Sequence, residues 1–244
     1  NAGKSLNIVY EDENIILIDK PTGLLSHPDE DNYTDTAITR VKRYLYEKGD
    51  YKPDEENSFA PALVNRIDRN TSGIIIGAKN AESLRILNEK LKNREMHKLY
   101  LCVVIGKLKK ESGLIEGYLE KNEKQNKVYV SEKGNDKTKH ISTKYKVLGY
   151  KDGLSLLEVE LLTGRTHQIR VHMSSIGHSL VGDTVYGGGG SPFEARHKAL
   201  INGQCLFASR LILTHPKTRE KMELEAPLPN NFEKLLSILR ADCE

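Results

Sequence analysis

The stretch Leu154-Ser155-Leu156-Leu157-Glu158-Val159-Glu160-Leu161-Leu162 decides the fold class. Leu157, Val159 and Leu161 face one way and Glu158 and Glu160 the other, the period of two that marks a strand with one buried face. Most of the chain from Leu114 to Leu162 alternates in this way. Sheet with one wet face is characteristically antiparallel, so antiparallel pairing is expected here. Immediately upstream, His97–Ile105 reads as a buried strand that stops at Gly106. Downstream, Thr163-Gly164 breaks the alternation, and Ile169, Met173 and Ile176 take up helical spacing over His167–Ile176.

Further out, Asn7–Tyr10 and Ile15–Ile18 flank the polar turn Glu11–Asn14 and predict a hairpin closed by Pro21. Ile38, Val41 and Leu45 predict a helix over Thr34–Glu47, capped by Thr34 or Asp35. Ala81, Leu84, Leu87 and Leu91 predict a second helix. A strand at Cys205–Thr214 and a helix at Asn231–Arg240 close the chain, while Gly187–Gly190 reads as a mobile surface loop. No repeat or linker divides the sequence. The expectation is one α+β domain over residues 1–244, a mixed and mainly antiparallel sheet with flanking helices, residues 1–7 forming an N-terminal extension in which Asn1-Ala2-Gly3 fits a tag remnant.

Composition narrows the function classes. With 244 residues the chain buries roughly three quarters of its unfolded surface, and 37 Lys+Arg against 34 Asp+Glu leave a formal charge of +3. That mean conceals an asymmetry. Residues 1–64 hold 13 acidic and 7 basic side chains, a balance of −6, so the remainder carries +9. Within it, residues 107–146 hold 11 Lys and 6 acids. The segment is either a solvated lysine-rich region or a surface for a polyanion. Cys102, Cys205 and Cys243 have no disulfide or zinc spacing, no apolar run spans a bilayer, and no signal pattern opens the chain. A cytoplasmic protein outside any membrane is expected, and a monomer, since no long apolar stripe is exposed.

Two polar runs carry candidate chemistry. In Asn65-Arg66-Ile67-Asp68-Arg69-Asn70-Thr71-Ser72-Gly73, between apolar runs at Ala62–Val64 and Ile74–Ile76, Asp68 lies among arginines that favour its ionised form. That suits a nucleophile or base, and equally a structural ion pair that pins the loop. In Gly164-Arg165-Thr166-His167-Gln168-Ile169-Arg170-Val171-His172, Arg165 either reaches into a cleft or caps carbonyls, and Gln168 and His172 fall at i, i+4. Two histidines five apart do not make a zinc pair, so no metal is expected. No G-x-S-x-G frame, Walker loop or dinucleotide fingerprint is present.

Taken in order, these segments resemble the RluA/RluD-type family of RNA pseudouridine synthases. The resemblance runs from Val9–Pro28 through Asn65–Gly73, Lys98-Leu99-Tyr100, Gly164–His172 and Gly177–Gly187 to Leu206-Phe207-Ala208 and His215-Pro216. It implies a central active-site cleft in the fold, isomerisation of uridine to pseudouridine in ribosomal RNA or tRNA, and no cofactor. It makes Asp68 the catalytic aspartate, Tyr100 the aromatic ring on the target base and Arg165 the cation paired with the aspartate. Arg66 would fill the gap left by the flipped nucleotide. Arg69, Arg170, His167 and Lys20 are the other RNA-contact candidates, and Leu206, Thr71 and Gly73 the pocket lining. The sequence departs from the family at Asn65, where histidine is usual. Many members also carry an N-terminal S4-like module, which this sequence is not expected to contain.

The chemistry agrees with these roles. The N1–C1′ bond must break, the uracil turn, and C5 join C1′, with no redox step. A carboxylate does this by attacking C1′, by attacking C6 or by removing the 2′ proton, and every route needs it ionised. A flipped base recovers about 1–3 kcal/mol by stacking on an aromatic ring. Two other classes stay open on the residues alone: an RNA-binding module without activity, and a small-molecule hydrolase using Asp68 with His167 or His172.

Overall fold

The computed structural model describes residues 5–240; Asn1–Gly3 and Cys243 lie outside the described residues. The chain groups into two compact units. One holds the residues up to Met96 together with Ala208–Pro227, the other His97–Phe207 and the residues from Leu228 on.

In the first unit, β1 (Ile8–Glu11) and β2 (Ile15–Lys20) form the expected hairpin, and the strand ends one residue before Pro21. Asp12 closes the turn by accepting from the amides of Asn14 at 2.7 Å and Ile15 at 3.0 Å. Its other oxygen takes the Tyr10 hydroxyl at 2.8 Å and His215 Nε2 at 2.6 Å. β2 runs antiparallel to β4 (Ser72–Ala78), in register from Ile15 opposite Ala78 to Lys20 opposite Gly73. All seven residues of β4 are buried, as its run of three isoleucines requires. The short β3 (Ala62–Leu63) also pairs with β4, and the sheet continues from β4 to β10 (Leu206–Thr214) and β11 (Lys221–Glu225). Gly73 has φ +118°, and a Cβ on it would collide with the Ala208 carbonyl. Only glycine lets those two strands approach.

Helix α1 (Ala37–Lys48) buries Ile38, Val41 and Leu45 as expected, but its N-cap is Thr36. Thr36 and Thr39 exchange a reciprocal pair, Thr39 N to Thr36 Oγ1 and Thr36 N to Thr39 Oγ1, a capping box with threonine in the usual glutamate place. Asp35 is engaged by Arg40 instead. Helix α2 (Ala81–Lys92) is capped by Asn80 and buries Ser83 and Leu87; Ala81 faces solvent.

The second unit is an antiparallel sheet in the order β5-β9-β8-β6-β7, built from β5 (His97–Ile105), β6 (Ser112–Asn122), β7 (Lys127–Ser131), β8 (Lys139–Lys151) and β9 (Leu154–Leu161). Leu157 and Val159 are fully buried and Glu158 and Glu160 half-buried, as predicted, but Leu161 is only half-buried and Leu154, Ser155 and Leu156 are all buried without alternation. Helix α3 (Gln168–Ser175) packs on β7 and β8 around Leu119, Val128, Ile141, Val171 and Tyr186. Ile169 and Met173 are buried, whereas Ile176 falls at the exposed helix end. Short α4 (Pro192–Arg196) and α5 (Asn230–Arg240) complete the unit. The glycine run is not simply a surface loop. Gly188 is buried, donates to the Asp183 carbonyl at 2.7 Å and accepts from Gly182, and a Cβ there would strike the Leu180 carbonyl. Cys102 and Cys205 are free and buried, and burial raises both thiols far above reactivity. The architecture is α+β with antiparallel sheet pairing throughout the registers above.

Candidate active site

Asp68 belongs to the first unit, on the segment between β3 and β4, and its two neighbours are tied down by backbone. The Ser26 hydroxyl donates to the Ile67 carbonyl at 2.8 Å and accepts from the Ile67 amide at 3.2 Å. The Arg69 carbonyl accepts from the Gly23 amide at 2.7 Å and from Lys20 Nζ at 3.0 Å. Thr71, buried, donates its amide to the Asp68 carbonyl at 3.1 Å. The segment Pro21–Ser26 that does the clamping is itself held by α1, whose first amides, Ala37 and Ile38, donate to Leu25 and Ser26. The Lys-Pro-x-Gly turn and the aspartate loop, over 40 residues apart in sequence, are thus one rigid piece. Gly23 is needed in that turn, with φ +89°.

Lys20 is a correction to the sequence reading. Its side chain is completely buried and donates to the carbonyls of Pro21 (2.8 Å), Leu24 (2.6 Å) and Arg69 (3.0 Å). No part of it is left for RNA. Burial pulls its pKa down to about 7, and the charges of Asp68 and Asp19 oppose that pull. Three carbonyls use all three N–H donors of an ammonium, whereas a neutral amine would turn its lone pair on one of them. The geometry therefore describes a charged lysine close to Asp68.

Asn65, the departure from the family pattern, also has a place. Val64 donates its amide to the Ile76 carbonyl at 2.8 Å, and Asn65 Oδ1 accepts the Ile76 amide at 2.9 Å. The side chain thus extends the β3–β4 ladder by one rung and anchors the start of the aspartate loop. Arg66 and Arg69 are exposed, as an RNA contact requires; Arg69 lies 3.8 Å from Asp29.

Tyr100, Arg165, His167, Arg170 and Leu206 belong to the second unit. Tyr100 is buried on β5, opposite Val159, and Leu206 is buried at the start of β10. Arg165 is exposed on the turn from β9 to α3. That turn is shaped by Gln168, whose Oε1 accepts the Arg165 amide at 3.1 Å and the Thr163 hydroxyl at 2.8 Å. Gln168 Nε2 donates to the Ser142 carbonyl and to Thr143 Oγ1, both at 3.0 Å. Gln168 is a positioning residue whose role the sequence signalled only through its i, i+4 relation to His172. His172 Nδ1 meets the same Thr143 hydroxyl at 2.7 Å. Fully buried, with its pKa lowered to about 4 mainly by that burial, His172 cannot serve a hydrolase.

Arg170 is a second correction. It is buried and makes a two-pronged ion pair with Asp183 at 2.7 and 3.1 Å, so its guanidinium organises the chain after α3 and is not presented to RNA. His167 is half-buried with φ +54° and shares a 2.8 Å hydrogen bond with the Tyr186 hydroxyl. Among the described residues no group of three or more His, Cys, Asp or Glu could hold a metal ion, and no helix is long and apolar enough to cross a membrane.

Comparison with known proteins adds an independent line. The family described as RNA pseudouridylate synthase matches residues 14–175. A ribosomal large subunit pseudouridine synthase D of Pseudomonas aeruginosa is 38% identical over 98% of this chain and 73% of its own length. The protein of the same name in Escherichia coli K12 is 36% identical over 98% of this chain and 72% of its own. Among solved structures, human RNA pseudouridylate synthase domain containing 4 superposes with a TM-score of 0.76 at 23% identity, covering 96% of this chain and 93% of that one, a likeness of fold.

Proposed function

The chain belongs to the RNA pseudouridylate synthase family and isomerises uridine to pseudouridine in RNA, and we propose that Asp68 is the carboxylate that carries out the reaction. One observation carries this assignment: Asp68 stands between Ile67 and Arg69, both fixed by backbone hydrogen bonds, with the buried Lys20 ammonium beside it. A reacting carboxylate needs that fixed position, because misplacement by an ångström is costly in rate.

The other roles follow the family pattern. Tyr100 gives its ring to the extruded uracil, Arg165 is the cation assigned to answer the aspartate, and the exposed Arg66 fills the vacated place in the RNA stack. Flipping costs a few kcal/mol, which stacking and phosphate contacts offset. The substrate is structured RNA, ribosomal RNA or tRNA; the names of the two bacterial relatives favour large-subunit ribosomal RNA.

Tritium release from RNA labelled at C5 of uridine tests the proposal, since the C5 proton leaves whenever C5 joins C1′. Wild-type protein should release tritium, and Asp68→Ala should lose at least ~10³-fold in rate, the scale on which removal of a reacting group is felt, while still binding the RNA. An Asp68→Ala protein as active as wild type would sink the assignment.

A further inference from the structure

Lys20 and Lys98 are both buried, and they are treated differently. Lys20 gives every N–H to a carbonyl. Lys98, on β5 and 8% exposed, pairs its backbone with β9, but its amine has no hydrogen bond or ion pair among the described residues. Burial lowers its pKa, and no neighbouring carboxylate pulls it back. A mostly buried amine with no protein acceptor is left to water or to a bound ligand at the part of it that stays open.

Its surroundings limit what the amine can meet. Lys98 and Tyr100 stand two residues apart on one strand, so both project from the same face, on the order of 7 Å from each other. The Lys98 amine lies against Gly164, where a Cβ would come within 2.7 Å of Nζ. Gly164 is exposed and immediately precedes Arg165. The missing side chain at Gly164 therefore leaves the ammonium approachable from solvent at the turn that carries Arg165.

We propose that Lys98 is a substrate-binding residue whose ammonium takes a phosphate oxygen of the nucleotide that Tyr100 stacks. This rests on the reading of Tyr100 above. The phosphate is the one full anion every RNA nucleotide brings, and a compact ammonium suits it as a point charge. The separation of Lys98 from Tyr100 is comparable to that between a base and its own phosphate. The interaction is independent of base identity; it sets how deeply a nucleotide seats, not which one.

The test compares Lys98→Met and Lys98→Arg, each in the Asp68→Ala background so that no turnover intervenes. The probes are transcripts of a large-subunit ribosomal RNA domain and of a tRNA, with affinity measured across a salt series. For Lys98→Met the plot of log affinity against log salt should flatten by about one unit on the transcript that serves as substrate. Affinity at low salt should drop several-fold, and the thermal midpoint should stay level or rise. Lys98→Arg should keep the slope. In the Asp68 enzyme, Lys98→Met should raise KM for RNA several-fold with kcat at saturating RNA within a few-fold of wild type. An unchanged slope and KM, or a midpoint lowered by several degrees with the slope intact, would overturn the proposal and make Lys98 structural. Failure of the function itself looks different: the wild-type enzyme would then release no tritium from either transcript.

Discussion

At the residue scale, the aspartate loop depends on a lysine that never meets the substrate. Replacing Lys20 with methionine keeps the length of the side chain and leaves the carbonyls of Pro21, Leu24 and Arg69 facing an apolar group. The Arg69 carbonyl keeps the Gly23 amide, and each of the other two left unpaired costs ~1–3 kcal/mol, so Lys20→Met should lose about 3 kcal/mol of stability. For a chain of this size that is a fall of roughly 6–12 °C in thermal midpoint. Activity measured well below the new midpoint should fall further than RNA affinity does, because the loop that loosens carries Asp68 while Arg66 and Arg69 remain exposed. Equal losses of kcat and affinity, or no loss of stability, would contradict the clamp. The loop that carries Asp68 was legible in the sequence as a polar run between two apolar ones, Ala62–Val64 and Ile74–Ile76. The burial of Lys20 was not, because a lysine reads as a surface cation until its acceptors are known, and one of them, Arg69, is 49 residues away. Arg170 misled for the same reason: its partner Asp183 stands 13 residues on, at no spacing that marks a pair.

At the scale of elements, periodicity located the hairpin, the antiparallel sheet and four of the helices, since each buries one face against a core. It missed what side chains do at their ends. Thr36 caps α1 because Thr39 completes the box, and α3 begins at His167 with no side-chain cap of its own. Gln168 supplies the closure from within the helix, bonding the Arg165 amide on one side and Thr143 on the other. Thr143 also holds His172, so one threonine of β8 seats both Gln168 and His172 of α3. This makes α3 sensitive to acid. In the unfolded chain His172 takes a proton near pH 6.5, but in the fold it resists until about pH 4, because burial disfavours the charged ring. The unfolded state therefore binds more protons between those values, and stability falls as pH drops through that window. The stabilisation is fully present above pH 6.5, and its loss by pH 4 is on the order of 2–3 kcal/mol. Urea titrations of wild type and His172→Gln at steps of pH should show their difference flat above 6.5 and shifting against wild type below it; parallel curves would remove His172 as the cause.

At the scale of the whole molecule, the charge of +3 is the sum of two unlike parts. The lysine-rich segment 107–146 lies wholly in the second unit, and all but one of its 11 lysines are exposed, Lys127 being half-buried. Exposure satisfies the solvated reading and the polyanion reading alike, which is why composition alone left the two open. They part on salt. A chain that meets RNA through a few exposed lysines binds non-specific RNA weakly, with an affinity that falls steeply as salt rises, each phosphate contact contributing just under one unit of log–log slope. Replacing Lys121, Lys124 and Lys137 by alanine removes three charges that make no ion pair among the described residues, so the fold should be unaffected. If the segment tracks the RNA backbone, the salt slope should fall by two to three units and affinity should weaken for substrate and non-substrate RNA alike, with turnover at saturating RNA unchanged. If the slope holds, these lysines are solvated bystanders, and the phosphate contacts must come from the exposed arginines beside Asp68 and from Lys98. Discrimination among uridines would in either case rest on RNA shape and on the seating of one flipped base, because backbone charge attracts every RNA equally.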